Sequence, residues 1–489
     1  MNFSKKSKKI GSKRQRLFFV VFCMLVVINP LPLGSNRTWA WSFEAMIASS
    51  LLILMVICSL FSTECISWHR LKKMRTELSL IGAWFVINLL YLIPLPLGLL
   101  GFLSPTVASA YEAANQSFGY LSLDVYATYQ ILMLGLYYFT LFILGVILIN
   151  SRKRIKVVLA LFLALGVFEA VYGMYLVSIG QTGTLVQINS VDIGHASGTF
   201  INKNHLVAFL SMCLIMGIAL RMILTRNYPD MSHLDFKIRL VRFIGQPIRL
   251  LDFSLFLLLA GIWSTHSRAG LASMTLTLVF LFLFVLFSKK MNVSESIKLI
   301  SYKKILVGFA FVIILLIAVA DDVNYFMDSL GQNTENSADH VMQSAQGRLL
   351  AVEQAIEHFP KYWFSGVGPG AYQVFFVNHR SVEQLYYFDH AHNDYVEFIV
   401  EYGLFSLLLL SMLLVFLYRI FVFIFKTKSR FYNSLGICVI SCMIYMLLHG
   451  NMDFNARIPA NVVTIIVVIS MIYGRIVMSG VNNTKKFGR

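Results

Sequence analysis

Charge is the scarcest commodity in this sequence. Charged residues make up 13% of 489, hydrophobic residues make up 57%, and mean hydropathy is +0.71. A soluble domain is about 25% charged and about 45–50% apolar. This chain therefore lacks the polar surface to coat a globule of its size, which excludes a soluble enzyme and a disordered chain. Cysteine is sparse as well: the six are Cys23, Cys58, Cys65, Cys213, Cys438 and Cys442, with no CxxC pair. That excludes a disulfide scaffold and the common zinc-binding spacings. Cys438 and Cys442 share a helix face and read as packing residues. Acidic residues number 24 against 41 lysines and arginines, a net charge of +17. The bases lie between apolar runs and not on one soluble face, which is the pattern of cytoplasmic membrane loops rather than of nucleic-acid binding. The glycines of SGVGPGAY, Ser365 to Tyr372, lack the Lys-Ser/Thr of a nucleotide-binding loop, so they read as a turn. Without an ATP motif, any reaction must draw on an already activated substrate.

What is abundant is long apolar sequence. Runs approach about 20 residues without strand-like alternation, so an all-α integral membrane protein is expected. About 12 transmembrane segments lie near 17–33, 42–63, 78–102, 127–150, 157–179, 204–224, 252–264, 270–288, 305–320, 395–418, 434–449 and 459–478. The basic leader MNFSKKSKKIGSKRQR precedes an apolar run without a small-x-small cleavage site, so an uncleaved first helix with Trp39 and Trp41 at the interface is expected. Alternating the segments from a cytoplasmic N-terminus puts 34 of the 41 bases on the cytoplasmic side. Both ends are then cytoplasmic. The seven exported bases are Arg37, Lys203, Arg268, Arg348, Lys361, Arg380 and Arg457. The expected organisation is helices one to nine over 1–320, a large exported loop over 321–394, and helices ten to twelve with a cytoplasmic tail over 395–489. A connection that long carries function. Within it, Leu349, Val352, Ile356 and Phe359 fall at helical spacing and predict a short amphipathic helix on the outer membrane surface or over the bundle.

The densest polar cluster is FDHAHNDYVEF, Phe388 to Phe398, where the long loop enters the tenth segment. Asp394 with Glu397 three residues on resembles a capping pair, so the helix should begin beside His392 and aim its positive end outward. His392 is the candidate catalytic base, with Asn393 beside it. His390-x-His392 also suggests zinc, but no third conventional ligand motif accompanies it, and no metal is expected. Glu397 and Glu401 lie one turn apart at membrane depth, where carboxylates pair or line a cavity. Arg268 and Arg457 are the candidate partners. In STHSRAG, Arg268 offers a planar fork suited to a diphosphate. GHASGTFINKNHLVAF supplies Lys203 as a phosphate contact, with His195 and His205 as lesser candidates. HGNMDFNARIPAN puts Asp453 and Arg457 on the exported rim.

These stretches resemble the O-antigen ligase and O-antigen polymerase superfamily of bacterial inner-membrane glycosyltransferases. The resemblance rests on SGTFINKNHLVAFL, the SRAG turn, FSGVGPGAY and HAHNDYVEFIVEYGLFS. The last is similar to the ligase pattern of His-Asn, nine residues, then Gly, although Ser406 stands where Gly, Thr or Tyr is usual. His195 stands where relatives often carry arginine. The resemblance implies a glycan donor linked to undecaprenyl diphosphate and an active face in the periplasm. It also implies chemistry without metal or nucleotide cofactors. Arg268, Arg348 and Lys203 would neutralise the leaving diphosphate, and His392 would activate or orient the acceptor hydroxyl. Asn393, Asp394, Glu397, Glu401, Asp453 and Arg457 would support the cavity. The acceptor would be lipid A-core for a ligase, a second lipid-linked glycan for a polymerase, or a protein hydroxyl. A flippase or other transporter is the competing class, but matching halves and midplane helix breaks are not evident in the sequence.

Overall fold

A computed structural model describes residues 2–61, 66, 71–181, 185, 194–224, 247–290, 338–380 and 387–479. The ninth apolar segment and the first part of the exported loop lie outside these residues. The long helices are Asn2–Ile28, Thr38–Phe61, Arg75–Leu90, Val125–Leu148, Arg152–Ser178, Lys203–Leu224, Pro247–Ser264, Arg268–Lys290, Ala338–His358, Ser406–Lys426, Arg430–His449 and Pro459–Ser479. Among the described residues, 7 helical stretches are long and apolar enough to cross a membrane. The chain is a multi-pass helical membrane protein. Bulky apolar side chains such as Leu54, Phe256 and Leu414 point outward, as lipid contact requires.

The Lys203–Leu224 helix is the centre of the bundle. Every residue from Asn204 to Gly217 is buried, so the helix is apolar nearly all round, as a fully enclosed helix must be. Small residues let its neighbours come close: Gly166 faces Cys213, and Gly217 faces Leu163 and Leu255. A second, smaller core gathers Tyr91, Leu100, Val107, Ala351, Ala355, Phe375, Phe376, Ala391 and Val400. It joins the exported connections to the start of the tenth segment.

Three local expectations are corrected. The segment 78–102 is not one helix. It stops at Leu90, and Pro94 and Pro96 turn the chain into a two-residue strand, Leu95–Pro96, antiparallel to Phe118–Gly119. The segment 395–418 is also interrupted. Asp394–Tyr402 ends at Gly403, whose φ of 52° is left-handed, and Ser406–Lys426 continues after a single 3-10 turn. The amphipathic helix is longer than expected, Ala338–His358. Ala351, Gln354 and Ala355 face the protein, while Leu349 and Ile356 are each 61% exposed. Small residues suit the close packing there, and the larger ones are left for another environment.

The glycine-rich segment closes on the helix break. Gly366, Gly368 and Gly370 all have positive φ. Val367 donates its N–H to the Val400 carbonyl at 2.9 Å, Gly368 donates to the Glu401 carbonyl at 3.0 Å, and Leu404 donates to the Trp363 carbonyl at 2.9 Å. These amides are engaged by backbone, so they cradle no anion.

Candidate functional site

The site is built where the Asp394–Tyr402 helix begins against the connection between the last two helices. Asn393 is the N-cap, its side chain accepting from the N–H groups of Tyr395 and Val396, both at 3.1 Å. This corrects the expected pair, in which Asp394 was the cap. Asp394 instead staples the two segments together. Its N–H donates to the Gly450 carbonyl at 2.7 Å, and its carboxylate accepts from the Ala456 N–H at 3.1 Å. Just before the cap, His392 has φ 49°, a left-handed conformation uncommon for a residue with a side chain. Such conformations persist only where the surroundings enforce them.

Two histidine–carboxylate pairs result. In the first, His390 Nδ1 lies 2.8 Å from Glu397 Oε1. The other Glu397 oxygen accepts from the Ala391 N–H at 3.0 Å. Arg457 Nε lies 2.9 Å from Glu397, and its Nη2 donates to Glu401. The guanidinium also sits over the Phe398 ring, 4.7 Å from its centroid. Burial works against a charged His390, but the Glu397 carboxylate outweighs it, by charge and by hydrogen bond. The His390 pKa therefore lies above the ordinary histidine value.

In the second pair, His392 Nδ1 lies 3.3 Å from Asp453 Oδ1. His205 Nε2 approaches the same oxygen at 3.9 Å. The Phe454 N–H donates to Asp453 at 2.9 Å and fixes the carboxylate. Burial works against the Asp453 anion, but contact with His392 and the charges of His205 and His449 outweigh it and hold its pKa below the usual carboxylate range. Asn455 donates to His449 Nδ1 at 2.9 Å, and Asn461 donates to the His205 carbonyl at 3.1 Å. Phe454 separates the two pairs. Its ring stacks on His390 at 4.3 Å between centroids and meets His392 and His205 edge-on at 4.9 Å each.

A cavity of about 590 Å³ opens beside the first pair. Asp389, His390, Glu397, Glu401 and Arg457 form its polar end, and the rest is lined mainly by apolar side chains of the bundle. A volume of this order suits a sizeable ligand. Of the residues expected to support the cavity, Glu397, Glu401 and Arg457 line it and Asn393, Asp394 and Asp453 do not; the catalytic candidate His392 is not among its lining residues either.

Lys203 and Arg268 are brought together from distant sequence. Each is the first residue of its helix. The Ser267 hydroxyl donates to the Asn204 side chain at 2.7 Å, holding the two helix starts side by side. Both positive helix ends thus add to the side-chain charge. Arg348 is half-buried on the Ala338–His358 helix, and its Nε makes no hydrogen bond among the described residues.

Sequence reasoning missed the ring of partners around Asp453. His205 was a lesser candidate and His449 none at all, because their convergence depends on packing between helices far apart in sequence. The Asn-His of INKNHL and the His-Gly of LLHGN were the available signals. Among the described residues, no cluster of three His, Cys, Asp or Glu side chains has metal-holding geometry.

No curated protein matches the chain. Residues 253–411 match the family model described as O-antigen ligase. That match spans the SRAG turn, the glycine segment, His390, His392 and the break at Gly403, so the part of the chain that carries the site is similar to the O-antigen ligase family.

Proposed function

We propose that this protein is an inner-membrane glycosyltransferase that moves a glycan from undecaprenyl diphosphate to an acceptor hydroxyl on the periplasmic face. Lipid A-core is the acceptor, which makes the enzyme an O-antigen ligase. The observation that carries this reading is the juxtaposition of histidine–carboxylate pairs, on a stapled helix start, with a largely apolar cavity. His392 takes the proton of the acceptor hydroxyl, and Asp453 stabilises the imidazolium that forms. The acceptor oxygen attacks the anomeric carbon, and the bond from that carbon to the phosphate oxygen breaks. The diphosphate leaves on its polyprenyl chain, and the anomeric centre inverts. Arg268, Lys203 and Arg348 offset the charge on that leaving group, where fixed cations are worth most. Arg457 supports the site through its ion pairs with the two glutamates. Neither a metal nor a nucleotide takes part, so EDTA leaves transfer by the purified enzyme unchanged.

A deletion strain tests the reading through its lipid-linked glycans and its surface polysaccharide, sized side by side. Long chains accumulating on undecaprenyl diphosphate, with bare lipid A-core, are the expected result. Single repeat units on the carrier, with at most one unit on the core, would replace ligase by polymerase. Unchanged glycans in both pools would overturn the transferase reading.

A further inference from the structure

His392 is not the histidine that faces the cavity; His390 is. Its ring is also the better held. A carboxylate can only accept, so the 2.8 Å contact with Glu397 fixes the hydrogen on Nδ1 and leaves Nε2 for a ligand. Glu397 cannot swing away, because Arg457 and the Ala391 N–H hold it from two other directions. Nε2 has no hydrogen-bond partner among the described residues. A second polar residue lining the cavity is also unengaged: the Tyr138 hydroxyl is buried with no partner among those residues. Arg457, by contrast, is paired with both glutamates.

The geometry points to His390 as a phosphate-binding residue at the head of the cavity, its Nε2–H donating to a phosphate oxygen of a lipid whose hydrocarbon chain fills the apolar part. Tyr138 donates beside it. With His390 protonated, His390 and Arg457 offset Glu397 and Glu401, while Asp389 adds one further carboxylate, so the phosphate is held by the directed Nε2–H and hydroxyl donors and not by net charge. The Glu397 carboxylate keeps His390 in that form to higher pH than an isolated histidine. The other charged or titratable groups acting on it are Asp389 beside it, Arg457 from the last connection, and His205 from the central helix. In the transfer reaction, on whose reading this role rests, His390 would stabilise the departing diphosphate while His392 handles the acceptor proton.

The test uses the full-length protein in nanodiscs with undecaprenyl diphosphate as the probe, titrated between about pH 6 and pH 9. Affinity should fall as pH rises through the His390 pKa. His390→Gln should bind at least about tenfold more weakly and lose that pH dependence relative to wild type, and Glu397→Gln should move the midpoint to lower pH. In a transfer assay His390→Gln should lower kcat about 10²-fold, with KM for the acceptor within about twofold. Binding of His390→Gln within about threefold of wild type, with the same pH slope, would overturn the assignment. So would an equal dependence on His390 for undecaprenol, which has no phosphate. If wild type binds the diphosphate with the expected pH dependence but transfers no glycan, the transferase reading fails and the phosphate assignment stands.

Discussion

The two histidines of the HAHN segment are two residues apart, touch the same phenylalanine ring, and are held in opposite ways. His390 is clamped: one short bond to Glu397, which is itself fixed by Arg457 and a backbone amide. His392 is loosely paired at 3.3 Å, on strained backbone, with a carboxylate that also faces His205 and His449. A clamped ring offers a fixed donor. A ring in a looser pair can change its hydrogen bonding as a proton arrives and leaves. The contrast teaches that neighbouring residues of one type can be built for different tasks by the partners that tertiary structure supplies.

Substitutions can break this contrast, beginning with the largest effect. His392→Ala should lower glycan transfer by about 10²–10⁴-fold, the range for a lost proton-transfer group, while the protein still inserts in the membrane. Normal surface polysaccharide from that strain would remove His392 from the chemistry. Arg457→Ala should act on stability instead, because it strands two buried carboxylates. The expected loss is about 3–5 kcal/mol, read as a fall in thermal stability in detergent, and an unchanged midpoint would mean the clamp is not held by this ion pair. Gly403→Ala places a side chain where φ is 52° and where a Cβ would lie 2.7 Å from the Phe364 and Trp363 carbonyl oxygens. Backbone strain alone costs about 1–3 kcal/mol, so membrane levels of the variant should drop. Asn393→Ala removes the cap, about 1 kcal/mol, together with the bond from its side-chain NH2 to the Asn451 carbonyl at 3.1 Å. It should loosen the loop carrying His392 and lower transfer more than it lowers stability. Smallest is Arg268→Lys, a few-fold loss of transfer where a bidentate fork matters; full activity would show that charge suffices or that the residue is uninvolved.

Much of this was legible in the sequence because membrane helices are specified locally. Apolar run length alone located helices such as Val125–Leu148 and Pro459–Ser479 to within a few residues. The polar cluster at His390–Glu401 stood out because charge inside an apolar run is costly. Breaks were harder. Pro94 and Pro96 signalled the end of one run, but a lone Gly403 in EYGLFS gives little warning, since glycine is common in membrane helices. The apolar stripe of the Ala338–His358 helix marked a face without saying which medium it meets, so its placement was left open between the membrane surface and the bundle. Partnerships were least legible. Arg457 meets Glu397 and Glu401 from another connection, and His205 reaches Asp453 from the central helix. Those encounters are fixed by how the helices pack.

The backbone bonds between the glycine segment and the Gly403 break have a consequence for how the chain can vary. They close the residues between them into a loop with sealed ends: Val367 bonds Val400, Gly368 bonds Glu401, and Leu404 bonds Trp363. The cost of closing such a loop grows only with the logarithm of its length. Closure therefore does little to set the length of the enclosed stretch; its buried Phe375, Phe376, Phe388 and Ala391 do that, while the seam itself stays fixed. The enclosed stretch contains HAHN. A seam of this kind lets exposed residues inside the loop change without disturbing the backbone bonds that close it.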